Sequence, residues 1–205
     1  NGGIKVYAMV NDTFNNVGIA TTSISVIDER AAKRKFLVPK AELPFYVYKD
    51  NKNLPYVLSA YMGDYKTVSV DLNNTETVKS GETAIKIEFK GKNEWYGLGF
   101  VDPANDWGDI LGGYDISGAE TFSFWAKASY DNLNAEIGFG LIGKGDKPFY
   151  DSSKKLVELN LTDEWKKYTI NTKRLDLTCI RSGFVIFTSG QGMSHTIYID
   201  EIVFE

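Results

Sequence analysis

Cysteine and histidine are nearly absent from the chain, which holds one residue of each, Cys179 and His195. A single cysteine excludes an internal disulfide bond and any zinc site built from several thiolates. Cys179 lies in the apolar stretch LTCIRSGFVIF, so we expect a buried structural thiol rather than a nucleophile. The redox compartment of the protein therefore stays open.

Excess positive charge and long apolar runs are also lacking. Lys and Arg number 23 against 27 Asp and Glu, which gives a formal net charge of −4. Nucleic-acid binders normally draw their affinity from basic residues set against phosphates, so we expect no nucleic acid as a partner. No run approaches the roughly 18 apolar residues that cross a bilayer, so we expect a soluble chain with no membrane partner. NGGIKVYAMV lacks the features of a signal peptide, and a signal for export would lie upstream of Asn1.

Aromatic and β-branched residues are abundant instead. Hydrophobic residues make up 43% of the chain and aromatic residues 14%, which is enough for a buried core. Turn signals such as NDTFNN, GKNE and SGQGMS separate short, often alternating segments at roughly 8–12-residue spacing. The predicted strands are 4–10, 17–27, 66–72, 83–90, 121–128, 135–143, 155–161, 166–170, 183–189 and 196–204. The predicted class is all-β.

The alternation also assigns a face to each residue of a strand. In TFSFWAK, Phe122 and Phe124 point to one side while Ser123 and Trp125 point to the other. Most predicted strands have one polar face, which is the pattern of two antiparallel sheets packed face to face. Trp125 therefore lies opposite the core, where we expect a neighbouring segment to cover it.

The N-terminal part differs in composition from the rest. Residues 1–28 predict a two-stranded hairpin, which by itself is at best marginally stable. The charged stretch DERAAKRK and the proline-containing FLVPKAELP follow, and they predict a linker over 29–42. The hairpin either packs on the following domain or is the end of an immunoglobulin-like module whose earlier strands lie outside this chain. We favour the second origin.

One long segment and one pair of strands together carry a resemblance to a known family. YDISGAETFSFWAKA (114–128) precedes the middle strand, and DEWKKYTI (163–170) is followed by a last strand with YIDEI (198–202). With these motifs, residues 43–205 resemble the galactose-binding-like jelly-roll domains that serve as carbohydrate-binding modules of bacterial glycoside hydrolases. The resemblance implies a jelly-roll β-sandwich that binds polysaccharide without cleaving it. Residues 1–28 resemble the end of the immunoglobulin-like domains that often precede such modules.

Flat rings and polar side chains concentrate in WYGLGFVDPANDWGDILGGYD (95–115). A pyranose stacks its apolar C–H faces on aromatic rings, while Asp, Asn and Gln hydrogen-bond its hydroxyls. We place this stretch on a long loop, where binding residues tend to lie. Either ring could instead be a plug beneath the loop. We rank Trp107 above Trp95 as a sugar-binding ring. The candidate carbohydrate-binding residues are Trp107, Asn105, Asp106, Asp109, Trp95, Tyr150 and Gln191, the last two from two further loops.

The resemblance also implies a structural calcium ion near the point where the first and last strands meet. Calcium takes about six to eight oxygen ligands. The positions that match are Asp200, Asp50, Glu82 and Ser80. Asp200 ranks first because an inward carboxylate in TIYIDEIVF is otherwise costly. An Asp at a strand end can equally be solvated or cap a turn.

Catalysis finds little support in the sequence. A glycosidase needs two suitably spaced carboxylates, and with 27 acidic residues some pair always exists. His195 has no nucleophile motif beside it, and we expect it to be exposed in a turn.

We therefore expect a non-catalytic, monomeric module that binds a polysaccharide or oligosaccharide, with calcium as a structural cofactor. We expect it to be secreted or at the cell surface, with a catalytic domain upstream in the same polypeptide. A structural or protein-interaction module and a carbohydrate-active enzyme stay open as alternatives.

Overall fold

The computed structural model describes residues 38–145 and 147–205 with their side chains, and residues 3–11 and 17–25 as backbone strands. The chain divides into two units, Asn1–Leu37 and Val38–Glu205. No helix among the described residues has the length and apolar character to cross a membrane. The strands in the described ranges are β1 (Gly3–Asn11), β2 (Val17–Ser25), β3 (Phe45–Tyr48), β4 (Val57–Gly63), β5 (Val68–Asn74), β6 (Ala84–Phe89), β7 (Trp95–Val101), β8 (Thr121–Ala128), β9 (Leu133–Phe139), β10 (Lys155–Leu161), β11 (Lys166–Asn171), β12 (Ser182–Ser189) and β13 (His195–Phe204).

The first unit contains the predicted hairpin. β1 pairs antiparallel with β2, from Gly3 opposite Ser25 to Asn11 opposite Val17. Of the predicted linker over 29–42, residues 29–37 lie outside the described residues. Residues 38–42 belong to the second unit, where Lys40 forms a parallel bridge with Asp115. The immunoglobulin-like origin of the hairpin stays a prediction.

The second unit is a sandwich of two antiparallel sheets, which confirms the predicted class. One sheet has five strands in the order β10-β9-β12-β7-β4. The other has six, in the order β11-β8-β13-β6-β5, with β3 pairing along β13 as well. The inner faces of the two sheets meet in one hydrophobic core.

Aromatic rings fill that core because alternation sends them inward. Phe122 and Phe124 of β8 are buried, as predicted, while Trp125, which follows them, is half-buried on the outer face. The Phe122 ring centroid lies 4.6 Å from that of Phe204 and 5.4 Å from that of Phe139. Each such side chain stabilises the fold by about 1.5–3 kcal/mol through burial. The core therefore gives both sheets a rigid base for their outer faces.

β7 corrects the prediction of a long loop over 95–115. Residues Trp95–Val101 form a strand in the middle of the five-stranded sheet, between β12 and β4. Its inward side chains alternate with Gly97 and Gly99, and glycine weakens the strand signal in the sequence. A Cβ atom at Gly97 would lie only 2.6 Å from the Phe187 ring, so close packing requires glycine there.

The two rare residues lie in the core. Cys179 is buried, as expected. The prediction of an exposed His195 is wrong, because this residue begins β13 and is only 4% exposed. Its Nε2 lies 3.0 Å from the Tyr96 hydroxyl, and its ring stacks on Phe89. Burial lowers the pKa of His195 to about 4, so the ring is a neutral core side chain.

Candidate functional site

A groove runs across the outer face of the five-stranded sheet. β7 directs Trp95, Gly97 and Gly99 to this face, because Tyr96 and Leu98 between them point into the core. The groove has a volume of about 460 Å³. Its lining residues are Trp95, Asn134, Glu136, Glu158, Phe187, Thr188, Ser189 and Gln191.

Trp95 and Phe187 give the groove an aromatic platform. Trp95 is 55% exposed, and its ring centroid lies 6.5 Å from that of Phe187 with 43° between the planes. Phe187 of β12 lies directly opposite Gly97 in the sheet register, so its ring lies over a position without a side chain. Met62 of β4 flanks Gly97 on the other side. The result is a low apolar surface bounded by one projecting indole ring.

Two carboxylates border this platform. Glu136 of β9 lies opposite Phe187 of β12 on one side and opposite Glu158 of β10 on the other. Opposite residues in antiparallel strands have Cβ atoms about 4.5–5.5 Å apart. Within residues 38–145 and 147–205, neither carboxylate has a hydrogen-bond or ion-pair partner. Their oxygens are therefore available to an external donor.

Gln191 forms one end wall of the groove. Its Nε2 donates to the Asn134 carbonyl at 2.8 Å, and its Oε1 accepts the Asn134 N–H at 3.1 Å. The amide thus pairs with the backbone of β9 as another strand residue would. Gln191 therefore shapes the groove, and both ends of its amide are already used.

The segment 102–115 lies at the opposite end of β7, about 20 Å from Trp95 at the usual rise per strand residue. Asp106 in this loop is buried, and its carboxylate accepts the backbone N–H groups of Gly108, Asp109 and Ile110. It also pairs with the fully buried Arg181. Burial favours the neutral carboxyl, but the Gly108 N–H and Arg181 outweigh it and lower the pKa of Asp106. This carboxylate is occupied in holding the loop.

The other loop candidates gather around Asp106. Trp107 is 41% exposed, and Asp109 forms an ion pair with Lys147 at 2.6 Å. Asn105 has φ +58° and donates its backbone N–H to the Ser59 hydroxyl.

Tyr150 comes close to these residues through a neighbouring loop. The Phe149 N–H in that loop donates to the Gly108 carbonyl at 3.1 Å. The structure therefore brings Asn105, Asp106, Trp107, Asp109 and Tyr150 together at one end of β7. It places Trp95 and Gln191 at the other end.

Sequence reasoning missed Phe187, Glu136, Glu158 and Asn134. Alternation assigns Glu136 and Glu158 to an outer face, because their strand neighbours are apolar, whereas Phe187 is itself apolar and Asn134 precedes the predicted strand 135–143. Nothing local shows that β9, β12 and β7 lie side by side, since other strands separate them in the chain. The sequence pattern therefore indicates which face of its strand each carboxylate occupies, but not which strands are neighbours in the sheet.

The residues proposed for calcium form a different kind of environment. The Asp200 carboxylate is buried and accepts the N–H groups of Lys79 and Ser80 at 3.0 Å and of Glu201 at 2.8 Å. Burial raises the pKa of Asp200 despite these donors. An inward carboxylate is costly when it lacks hydrogen bonds, and here three backbone N–H groups supply them.

Asp50 and Glu82 are also engaged without a metal. Asp50 accepts the N–H groups of Glu82 and Thr83, which lower its pKa, and a Cβ atom at Gly81 would collide with its carboxylate. Glu82 forms an ion pair with Lys52 at 2.8 Å. Among the described residues no group of three or more His, Cys, Asp or Glu could hold a metal ion. The hydrogen bonds of these side chains are those of turn caps, and the calcium site stays a prediction.

Comparison with known proteins identifies the fold. No family model matches the chain, and a search of curated proteins finds no match. The chain is similar to the solved family 30 carbohydrate-binding module of a cellulosomal cellulase of Clostridium thermocellum, at 12% identity over 80% of this chain and 98% of that chain, with a TM-score of 0.53. Two other structures of a family 30 carbohydrate-binding module match at 12% identity (80% and 99% of the two chains, TM-score 0.54) and 14% identity (83% and 88%, TM-score 0.50). Residues 38–205 therefore have the jelly-roll sandwich fold that these modules share.

Proposed function

We propose that this protein binds a polysaccharide or oligosaccharide in the groove on the outer face of the five-stranded sheet. The observation that carries the proposal is the exposed Trp95 beside Phe187, bordered by the carboxylates of Glu136 and Glu158, which have no partner among the described residues. Solved carbohydrate-binding modules of the same fold support the assignment.

The chemistry of the groove suits a sugar chain. The apolar C–H face of a pyranose stacks on the indole ring, as apolar groups do on aromatic surfaces generally. Sugar hydroxyls are donors, and ionised carboxylates accept hydrogen bonds that are stronger than those between neutral groups. A volume of about 460 Å³ lies within the usual range for ligand sites.

The biological role that follows is targeting. A module that binds a polymer raises the effective concentration of any catalytic domain joined to it. We propose that this chain is a non-catalytic part of a secreted or cell-surface glycoside hydrolase. Its task in that protein is to hold the catalytic domain at its substrate.

Hydrolysis by Glu136 and Glu158 is a second candidate function, because the two lie opposite each other in the groove. Glycosidases use two carboxyl groups with different tasks, and different surroundings set those tasks. Both residues here are exposed on neighbouring strands of one face. Nothing in these surroundings separates an acid from a nucleophile, so binding is the function that we favour.

Isothermal titration against soluble β-glucans, xylans, mannans and galactans tests the proposal. We expect binding to at least one polymer, and a loss of about 30-fold or more in affinity for Trp95→Ala, as for a central aromatic contact. Trp107→Ala is the matched control, and we expect its affinity within about twofold of the wild type.

Two outcomes would contradict the groove as the site. One is no binding to any of these polymers, and the other is loss of binding in Trp107→Ala with Trp95→Ala unchanged. Reducing ends should not accumulate when the protein is incubated with the polymer it binds. If they accumulate and Glu136→Gln abolishes the release, hydrolysis replaces binding as the function.

A further inference from the structure

Glu158, Glu136, Phe187 and Gly97 form one row across four neighbouring strands of the sheet. Glu158, Glu136 and Phe187 line the groove, so Glu136 lies directly beside the Phe187 ring of the aromatic platform and Glu158 lies one strand further away. A sugar chain that follows this row from Phe187 passes Glu136 and then Glu158. A charged group on the sugar would therefore interact electrostatically with these carboxylates.

No basic side chain lines the groove in the part of the chain that the structure describes. Like charges on directly opposite residues of two strands normally destabilise a sheet. Glu136 and Glu158 keep their position without a Lys, Arg or His to neutralise them. The groove therefore carries a negative charge along one border that no described side chain lining it compensates.

From this charge we propose that Glu136 and Glu158 make the groove selective for uncharged sugar chains and against chains of uronic acids. The inference rests on the proposed function and names the class of ligand for the same groove. A neutral sugar presents hydroxyl donors to the two acceptors. A uronate presents a carboxylate, which has no proton to donate and repels both residues. Selectivity then arises from a repulsive contact as well as from an attractive one.

The test uses one polymer in two forms. The neutral polymer that the wild type binds most tightly is compared with the same polymer after oxidation of its primary hydroxyls to carboxylates. The variants are Glu136→Gln with Glu158→Gln, and a control pair, Glu76→Gln with Glu164→Gln. The control removes the same charge from two exposed residues that do not line the groove. Thermal melting checks that each variant is folded.

We expect the wild type and the control to bind the oxidised polymer about tenfold or more weakly than the neutral one at low salt, which two charge repulsions across a few ångströms would produce. The groove variant should lose most of this difference, because Gln keeps the shape and can both donate and accept. High salt should narrow the difference for the wild type.

Equal binding of the two polymer forms by the wild type would overturn the inference and leave the proposed function intact. The same holds if the groove variant discriminates as strongly as the control variant does. Absence of binding to either form would instead be a failure of the proposed function itself.

Discussion

Two tryptophans, twelve residues apart in the sequence, lie at opposite ends of β7 in very different surroundings. Trp95 and Trp107 are 55% and 41% exposed, so exposure alone barely separates them. Beside Trp107, Asp106 pairs with Arg181 and Asp109 pairs with Lys147. Beside Trp95, the groove carboxylates have no partner among the described residues. An exposed ring marks a candidate site where the polar groups around it are still available.

The interior differs at the two ends as well. Next to Trp95, the neutral pair of Tyr96 and His195 stacks with Phe89. Behind the loop at the other end, Arg181 is fully buried, and its Nε and Nη1 have no partner within the described residues. We therefore expect the loop end to respond most to loss of charge and the groove end to respond to changes of shape.

Asp106→Ala tests the loop end and should have the largest effect on stability. It would leave the Arg181 charge buried without its partner, which typically costs about 3–5 kcal/mol. Asp109→Ala is the control, because its pair with Lys147 is exposed and worth about 0–1 kcal/mol. Urea denaturation measures both free energies of unfolding. Similar small losses in the two variants would mean that Asp106 does not hold the loop.

Gly97→Val tests the groove end by filling its floor. A Cβ atom at this position would lie 2.6 Å from the Phe187 ring and 3.0 Å from Met62 Cε, so the ring must move. We expect a loss of about 1–3 kcal/mol in stability, as for overpacking, and binding weaker by about tenfold. Gly143→Ala is the control, since its Cβ atom would meet nothing within 4 Å. Thermal melting and isothermal titration of both variants check this. Unchanged binding by Gly97→Val would mean that the surface around Gly97 is not part of the binding site.

Low pH should act on the groove end of β7 through His195, which lies beside Tyr96. Burial lowers its pKa from 6.5 to about 4, so the folded protein keeps the ring neutral while the unfolded chain takes up a proton. The stability from this group is complete above about pH 6.5 and falls as the pH drops toward 4. His195→Phe should remove that part of the decline.

The difference between the wild-type and His195→Phe curves isolates the histidine. Burial raises the pKa of Asp151 and of Asp200, and these groups oppose the decline because the folded state protonates them first. Free energies of unfolding between pH 4 and pH 8 give both curves. Parallel curves over this range would show that His195 does not titrate as expected.

Chelation should have the smallest effect, and it tests the turns near Asp200 and Asp50. The predicted calcium ion would make EDTA lower the melting temperature, whereas turns held by backbone N–H groups alone would leave it unchanged. A fall of about 4 °C, corresponding to roughly 1 kcal/mol or more, would support the predicted calcium ion. Restoration of the melting temperature by added calcium is the control.

The sequence by itself determined the class of fold and the faces of its strands. Alternation in TFSFWAKA places Phe122 and Phe124 inward and Trp125 outward because the side-chain period of a strand is two residues. Trp125 is indeed partly covered, with the Lys79 ammonium 4.2 Å from its ring. Such local patterns depend only on neighbours along the chain, so they can be interpreted without the structure.

Only the tertiary structure decided which exposed groups act together. Glu136, Glu158, Phe187 and Trp95 come from four segments spread over about 90 residues, and the strand order alone brings them into one groove. The same folding removed Asp106 from the candidates by burying it against Arg181. Pairing between distant strands is set by the packing of the whole core, and no short stretch of sequence carries that information.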